Sequence, residues 1–223
     1  MSLLMLDLDN TLVDRDAAFR GAVVAFLAEH GLPGDDVDWL MSIDASGYTS
    51  RLTVAATMAE RYGSAAPDGA VRALLDHGAA DRVTLAGCTR DALDRAIAAG
   101  WSCVIVTNGR TAQQESKIRR AGLDRLVHGW VVSEHVGHPK PEPEIFRAAA
   151  ATVGASLVDA WMIGDSGPAD IAGANGLSIR SVWVSAGRPW TEAAYRPTHV
   201  TDDIVAAIDH VVGAPAPSQR TDR

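Results

Sequence analysis

The sequence predicts an α/β fold: an open parallel sheet with helices on both faces, with an all-helical segment inserted after the first strand. Three observations carry this. Short, nearly continuous apolar runs recur along the chain, as in strands of a parallel sheet covered on both faces. Amphipathic segments with helix start and stop signals separate them. One long stretch, between the first and second runs, has helical patterns only. At 223 residues and 47% hydrophobic, the chain suffices for one large domain, or a domain plus a smaller insert, around a sizeable core.

The first strand is LLML (3–6). SCVIVT (102–107), GWVVS (129–133), AWMIG (160–164) and IRSVWV (179–184) follow it. Between them, TRDALDRAIAAG (89–100) reads as a helix with Thr89 at the N-cap and Gly100 as its stop. TAQQESKIRRAG (111–122) and EPEIFRAAAATVG (142–154) obey the same rule, and PADIAGANG (168–176) is a shorter helix. Strands alternating with helices imply right-handed crossovers and a Rossmann-like sheet. Residues 15–84 break the rhythm. DAAFRGAVVAFLAEHG (16–31) places Phe19, Val23, Phe26 and Leu27 on one stripe, with Asp16 placed to cap its start and Gly31 to end it. TSRLTVAATMAERYG (49–63) and PDGAVRALLDHG (67–78) look like two further helices. The expected organisation is therefore a sheet domain of residues 1–14 and 85–213, a helical domain of 15–84, and a Pro-rich, polar, disordered tail of 214–223.

Composition narrows the function. A net charge of −8 argues against nucleic acid or an anionic membrane as partner. Cys88 and Cys103 lack metal-ligand spacing and read as reduced thiols. The stretch MSLLMLDLD has neither a basic start nor a long apolar run, and no segment approaches a membrane span, so the expected compartment is the cytoplasm. The chain writes 18 arginines but only two lysines, Lys117 and Lys140.

In an open α/β sheet the ligand site lies beyond the carboxyl ends of the strands. Four such ends carry polar groups. DLDNTLVD (7–14) brings Asp7 and Asp9, VTNG brings Thr107 and Asn108, GHPKPEPEIF brings Lys140, and IGDSGPAD brings Asp165 and Asp170. Clustered carboxylates repel unless a cation joins them. Aspartate oxygens suit Mg²⁺, and carboxylate, Mg²⁺ and lysine around one spot suit a phosphoryl group. The arginine bias singles out Lys140, because a compact ammonium differs from a planar guanidinium. His135 and His138 read as surface residues, and Trp101, Trp130, Trp161 and Trp183 as packing in or beside strands. Trp39 and the turn DASGYTSR (44–51) are the ligand-facing candidates of the helical insert.

With DLDNT, VTNG, the lysine of HPKP and GDSGPAD in this order, the sequence resembles the haloacid dehalogenase (HAD) superfamily, in its phosphatase branch, and the helical insert resembles that family's cap by position and character. The resemblance implies a Mg²⁺-dependent phosphatase acting on a small phosphorylated metabolite through an aspartyl-phosphate. Asp7 would be the nucleophile. Asp9 would act as acid and then base, and give its backbone carbonyl to Mg²⁺. Thr107 and the N–H of Asn108 would hold phosphoryl oxygens, and Lys140 would pair with Asp7 and the phosphate. Asp165 would be a metal ligand, and Asp170 a second ligand or an outer-shell acceptor. Arg51 would grip a remote anionic group of the substrate. A phosphotransferase or sugar-phosphate mutase would keep all four motifs. A haloacid dehalogenase would need neither Mg²⁺ nor Asp9, and a non-catalytic binding protein would not need the motifs intact. The sequence carries no cue to oligomeric state.

Overall fold

The structure is a computed structural model that describes residues 2–214. Six strands form one parallel sheet: β1 (Ser2–Leu6), β2 (Trp101–Thr107), β3 (Gly129–Val132), β4 (Trp161–Gly164), β5 (Arg180–Val184) and β6 (His199–Thr201). Their spatial order is β3-β2-β1-β4-β5-β6. The strand carrying Asp7 at its end is therefore internal. Leu6 lies opposite Ile105 of β2 and Ile163 of β4, which fixes the level at which the three strands end.

Ten helices accompany the sheet among the described residues: α1 (Arg15–Glu29), α2 (Val37–Asp44), α3 (Arg51–Tyr62), α4 (Asp68–His77), α5 (Gly87–Ala98), α6 (Thr111–Arg120), α7 (Ser133–Val136), α8 (Pro143–Thr152), α9 (Ala172–Gly176) and α10 (Ile204–Gly213). Alternation along the strands divides the core. Leu3, Met5, Val104, Val106 and Met162 join Ile145, Phe146 and Ala149 of α8 on one face. The intervening Leu4, Leu6, Cys103 and Ile105 are equally buried and point to the other face. There α5 packs on β2, α10 on β4 and β5, and the two helices on each other.

The chain divides into two compact units. One comprises the stretch through Leu12, Leu85–Thr111 and the chain from Gly122 on; the other comprises Val13–Thr84 and Ala112–Ala121. Residues 112–121, which are α6 beyond its first residue together with Ala121, thus group with the helices, although the order of elements alone assigns them to the sheet. Within the helical unit Phe19, Val23, Phe26 and Leu27 are buried along α1, as the stripe predicts, together with Leu40, Val54, Met58 and Leu74. Arg15 at the start of α1 is also buried and pairs with Asp44 at the end of α2.

Several local expectations change. Asp14, not Asp16, caps α1, its side chain accepting from the Ala17 N–H at 2.8 Å. Asp16 instead accepts from Arg15 and Ser46. Thr89 lies inside α5, whose N-cap is Ala86, because the helix starts three residues earlier than the sequence signal. Gly31 and Gly100 adopt the left-handed backbone expected of helix stops, at φ 62° and 87°. The segment expected as one helix over 168–176 begins with a π-turn, Gly167–Ile171, and continues as α9. Short α2, β6 and α10 go beyond the predicted elements. The tail expected over 214–223 lies, apart from Ala214, outside the described residues. Among the described residues no helix is long and apolar enough to cross a membrane.

Candidate active site

Asp7 is the first residue beyond β1, and its N–H still donates to the Ile163 carbonyl of β4 at 2.9 Å. The sheet ladder thus carries the backbone up to the carboxylate and fixes it there. The carboxylate is 7% exposed and bonded at both oxygens. Oδ1 accepts from Lys140 Nζ at 2.6 Å, and Oδ2 accepts from Thr11 Oγ1 at 3.2 Å.

Lys140 is the hub. Its ammonium also donates to the Val106 carbonyl at 2.7 Å and lies 2.7 Å from Asp170 Oδ1. Burial works against its charge, but Asp170 and Asp7 more than offset that, so the ammonium is held above the ordinary lysine range. Asn108 fixes its backbone, accepting from the Lys140 N–H at 2.8 Å and donating to the Lys140 carbonyl at 3.0 Å.

Asp170 is wholly buried on the π-turn, and its Oδ2 accepts from the Ser166 N–H at 3.0 Å. Its approach to β4 requires Gly164: a Cβ there would fall 2.1 Å from Asp170 Oδ2. Asp165, next in the chain, has its carbonyl bonded by Trp183 Nε1 at 2.8 Å and its carboxylate by Arg188 Nη2 at 3.2 Å.

The carboxylates of Asp7, Asp165 and Asp170 each place a ligand oxygen within 4.8 Å of the other two. Charge does not balance inside this cluster: with all three carboxylates ionised, they outnumber the two cations that touch them, the Lys140 ammonium on Asp7 and Asp170 and the half-exposed Arg188 guanidinium on Asp165. Burial, together with Asp170 and Asp165, pushes Asp7 up to about 8 despite Lys140, and burial with Asp170 pushes Asp165 up to about 6. Hard carboxylate oxygens in a buried, net-negative spot fit a hard divalent cation such as Mg²⁺.

Thus the structure gathers Asp7, Lys140, Asp165 and Asp170 at the carboxyl ends of β1 and β4. Thr107 ends β2 beside the Val106 carbonyl that Lys140 grips, and Asn108 follows it. Asp9 lies two residues past Asp7, half-buried, and the next residue, Asn10, takes a left-handed turn at φ 58°. Arg51 belongs to the helical unit, where its guanidinium pairs with Asp76 at 2.6 Å and with Gln113. Trp39 packs within the same unit, with the Arg61 guanidinium 4.4 Å from its ring centre and Tyr62 edge-on. His135 and His138 are exposed, and His138 pairs with Glu142 at 2.6 Å.

Two contributors lie outside the sequence-derived set. Thr11 sits one turn beyond Asp7, and its hydroxyl in the DLDNT run is the available signal. Arg188 follows a short strand in an arginine-rich chain, where nothing marks it.

Comparison with known proteins agrees with the geometry. A phosphoserine phosphatase of Thermus thermophilus is 35% identical over 88 residues, covering 40% of this chain and 35% of that protein. The match thus spans about a third of that relative's length. A pyrimidine 5'-nucleotidase of Streptococcus pneumoniae is 28% identical over 211 residues, 88% of this chain and 89% of the relative. A magnesium-bound HAD-hydrolase of Bacillus subtilis shares the fold, with a TM-score of 0.74 at 22% identity, covering 96% of this chain and 99% of its own. Residues 1–177 match the family described as haloacid dehalogenase-like hydrolase. With that match running from the Asp7 strand through the Asp170 turn, the chain belongs to the haloacid dehalogenase-like hydrolase family.

Proposed function

We propose that this chain is a Mg²⁺-dependent phosphatase that hydrolyses a small-molecule phosphomonoester through an aspartyl-phosphate on Asp7. The observation that carries this reading is the seat of Lys140. A buried ammonium touches both Asp7 and Asp170, yet even with Arg188 on Asp165 the three ionised carboxylates exceed the cations that touch them by one charge.

In this reading the Asp7 carboxylate attacks phosphorus, and the bond from phosphorus to the leaving oxygen breaks as the Asp7–phosphorus bond forms. Asp9 gives its proton to the leaving alkoxide. It then takes a proton from water, whose oxygen attacks phosphorus and returns Asp7 as inorganic phosphate leaves. Thr107 and the Asn108 N–H hold the phosphoryl oxygens, and Lys140 offsets the charge gathered beside Asp7. Mg²⁺, held by Asp7, Asp165, Asp170 and the Asp9 carbonyl, would supply the charge that lets an anionic nucleophile meet an anionic substrate. Arg51 would select substrates with a second anionic group by exchanging its Asp76 pairing for them.

The test is phosphate release from a panel of sugar phosphates, nucleotides, phosphoglycolate and amino-acid phosphates, before and after chelation. Turnover should need Mg²⁺ and vanish in Asp7→Asn. Phosphate release that survives thorough chelation, or no release from any member with Mg²⁺ present, refutes the reading.

A further inference from the structure

Asp165 is held at both ends by the segment that follows β5. Arg188 Nη2 donates to the Asp165 carbonyl at 3.0 Å and to its Oδ2 at 3.2 Å. The same nitrogen reaches the Val184 carbonyl at 3.1 Å, and Nε donates to the Ser185 carbonyl at 2.8 Å. The chain is shaped to aim the guanidinium this way. Ala186 and Gly187 both take left-handed backbone, at φ 48° and 78°, and the Arg188 N–H closes the turn on the Ser185 carbonyl at 3.0 Å. Left-handed alanine costs about 1 kcal/mol or more. The Arg188 side chain is half exposed. A solvated arginine would not need such a turn, nor hydrogen bonds that converge on one residue and the strand end beside it.

We infer that Arg188 is a positioning residue for the divalent-cation site, pinning the Asp165 carboxylate in the orientation that favours Mg²⁺ over Ca²⁺. The inference rests on the cation of the phosphatase reading. Its physical basis is the different tolerance of the two ions. Mg²⁺ demands near-octahedral geometry at about 2.0–2.1 Å, whereas Ca²⁺ accepts six to eight oxygens over a range of about 2.3–2.6 Å. A ligand carboxylate free to rotate therefore penalises Mg²⁺ more. If Arg188 acted only as a nearby positive charge, its removal would tighten both cations alike.

The test is calorimetric titration of the full chain with Mg²⁺ and, separately, Ca²⁺, for wild type, Arg188→Gln, Arg188→Lys and Asp165→Asn. Arg188→Gln should weaken Mg²⁺ by about tenfold or more, as loss of a partner that orients a ligand does. It should weaken Ca²⁺ by less than about threefold. Arg188→Lys, whose single ammonium can serve Oδ2 but not the carbonyls around it, should fall between. Unchanged or tightened binding of both ions in a folded variant overturns the inference. If Arg188→Gln does not fold, Arg188→Lys decides on the same Mg²⁺-to-Ca²⁺ ratio. Wild type that binds neither ion, or Asp165→Asn that binds Mg²⁺ as wild type does, removes the cation site itself. Wild-type binding lost in Asp165→Asn but unaffected at position 188 removes only the role of Arg188.

Discussion

The side-chain amide of Asn108 pairs with the backbone of Lys140 in both directions, accepting from its N–H at 2.8 Å and donating to its carbonyl at 3.0 Å. An amide thus does for the loop before α8 what a neighbouring strand would do, and it fixes the residue whose ammonium bridges Asp7 and Asp170. Asn108→Asp sets an oxygen against the Lys140 carbonyl while keeping the residue's own N–H for phosphate. On p-nitrophenyl phosphate, kcat should fall about 10–100-fold with a smaller change in KM, the cost of a misplaced catalytic group. A kcat within about twofold of wild type would show that the clasp does not position Lys140.

Lys140→Arg should be nearly as damaging as Lys140→Ala. The ammonium occupies a pocket bounded by Asp7 Oδ1, Asp170 Oδ1 and the Val106 carbonyl, all within 2.7 Å. A planar guanidinium cannot place one nitrogen there without displacing the others. Either variant keeping more than about a tenth of wild-type turnover, a loss under ~1.4 kcal/mol, contradicts a tight point-charge role.

Acidity and metal should be linked in stability. Burial is the main cause that pushes Asp7 up to about 8 and Asp165 up to about 6, against about 3.9 for aspartate in an unfolded chain. Both groups bind protons more tightly folded than unfolded, so the metal-free fold loses stability as pH rises from about 4 towards 8. Mg²⁺ takes over the charge that the protons neutralise. Scanning calorimetry should therefore find a larger Mg²⁺-induced rise in Tm at pH 8 than at pH 5. A rise equal at both values, or larger at pH 5, counts against a cation on these carboxylates.

Arg51→Ala should cost little stability, since its pair with Asp76 is partly exposed and such pairs contribute about 0–1 kcal/mol. Its proposed effect is on selectivity. Substrates with a second anionic group should lose kcat/KM, while p-nitrophenyl phosphate should not. Equal loss on both, or none on either, removes Arg51 from the substrate-binding set.

Asp9→Asn should separate the two half-reactions. Asparagine keeps the backbone carbonyl but neither gives nor takes the proton. p-Nitrophenolate leaves without help, so stopped-flow absorbance should show a burst of about one equivalent per site, then slow turnover as the aspartyl-phosphate accumulates. An alkyl phosphate should fail at the first step. Steady turnover of p-nitrophenyl phosphate near the wild-type rate, without a burst, means that Asp9 is not the base.

Much of this site is legible in the sequence because buried strands and their polar ends contrast sharply. Asp7, Thr107 and Asp165 each follow an apolar run, and the sheet brings those ends to one level. Lys140 is legible through residue choice, as one of two lysines among 18 arginines. What stays hidden has a different origin. Strand β6 is three residues long, too short for any period to show. Helix α10 did carry a signal, with Asp203 capping a stripe of Ile204, Ala207, Ile208 and Val211. The start of α1 turns on whether Asp14 or Asp16 meets an amide, and both are acids two residues apart. Arg188 bonds mostly to carbonyls, which every residue has, so its role exists only after the chain has turned.

The sheet order has a consequence for biosynthesis. β1 pairs with residues 101–105 on one side and 161–163 on the other, so its neighbours are made long after it. Contacts this distant in sequence close slowly, and they close only after the loops between them are paid for in entropy. While a ribosome is still short of residue 161, Asp7 has a nascent chain around it but neither the carbonyl of Ile163 nor the carboxylate of Asp170. A truncated translation product therefore carries Asp7 without the carbonyl that its N–H meets in the folded chain, and carries the apolar LLML segment without the strand that covers one of its edges.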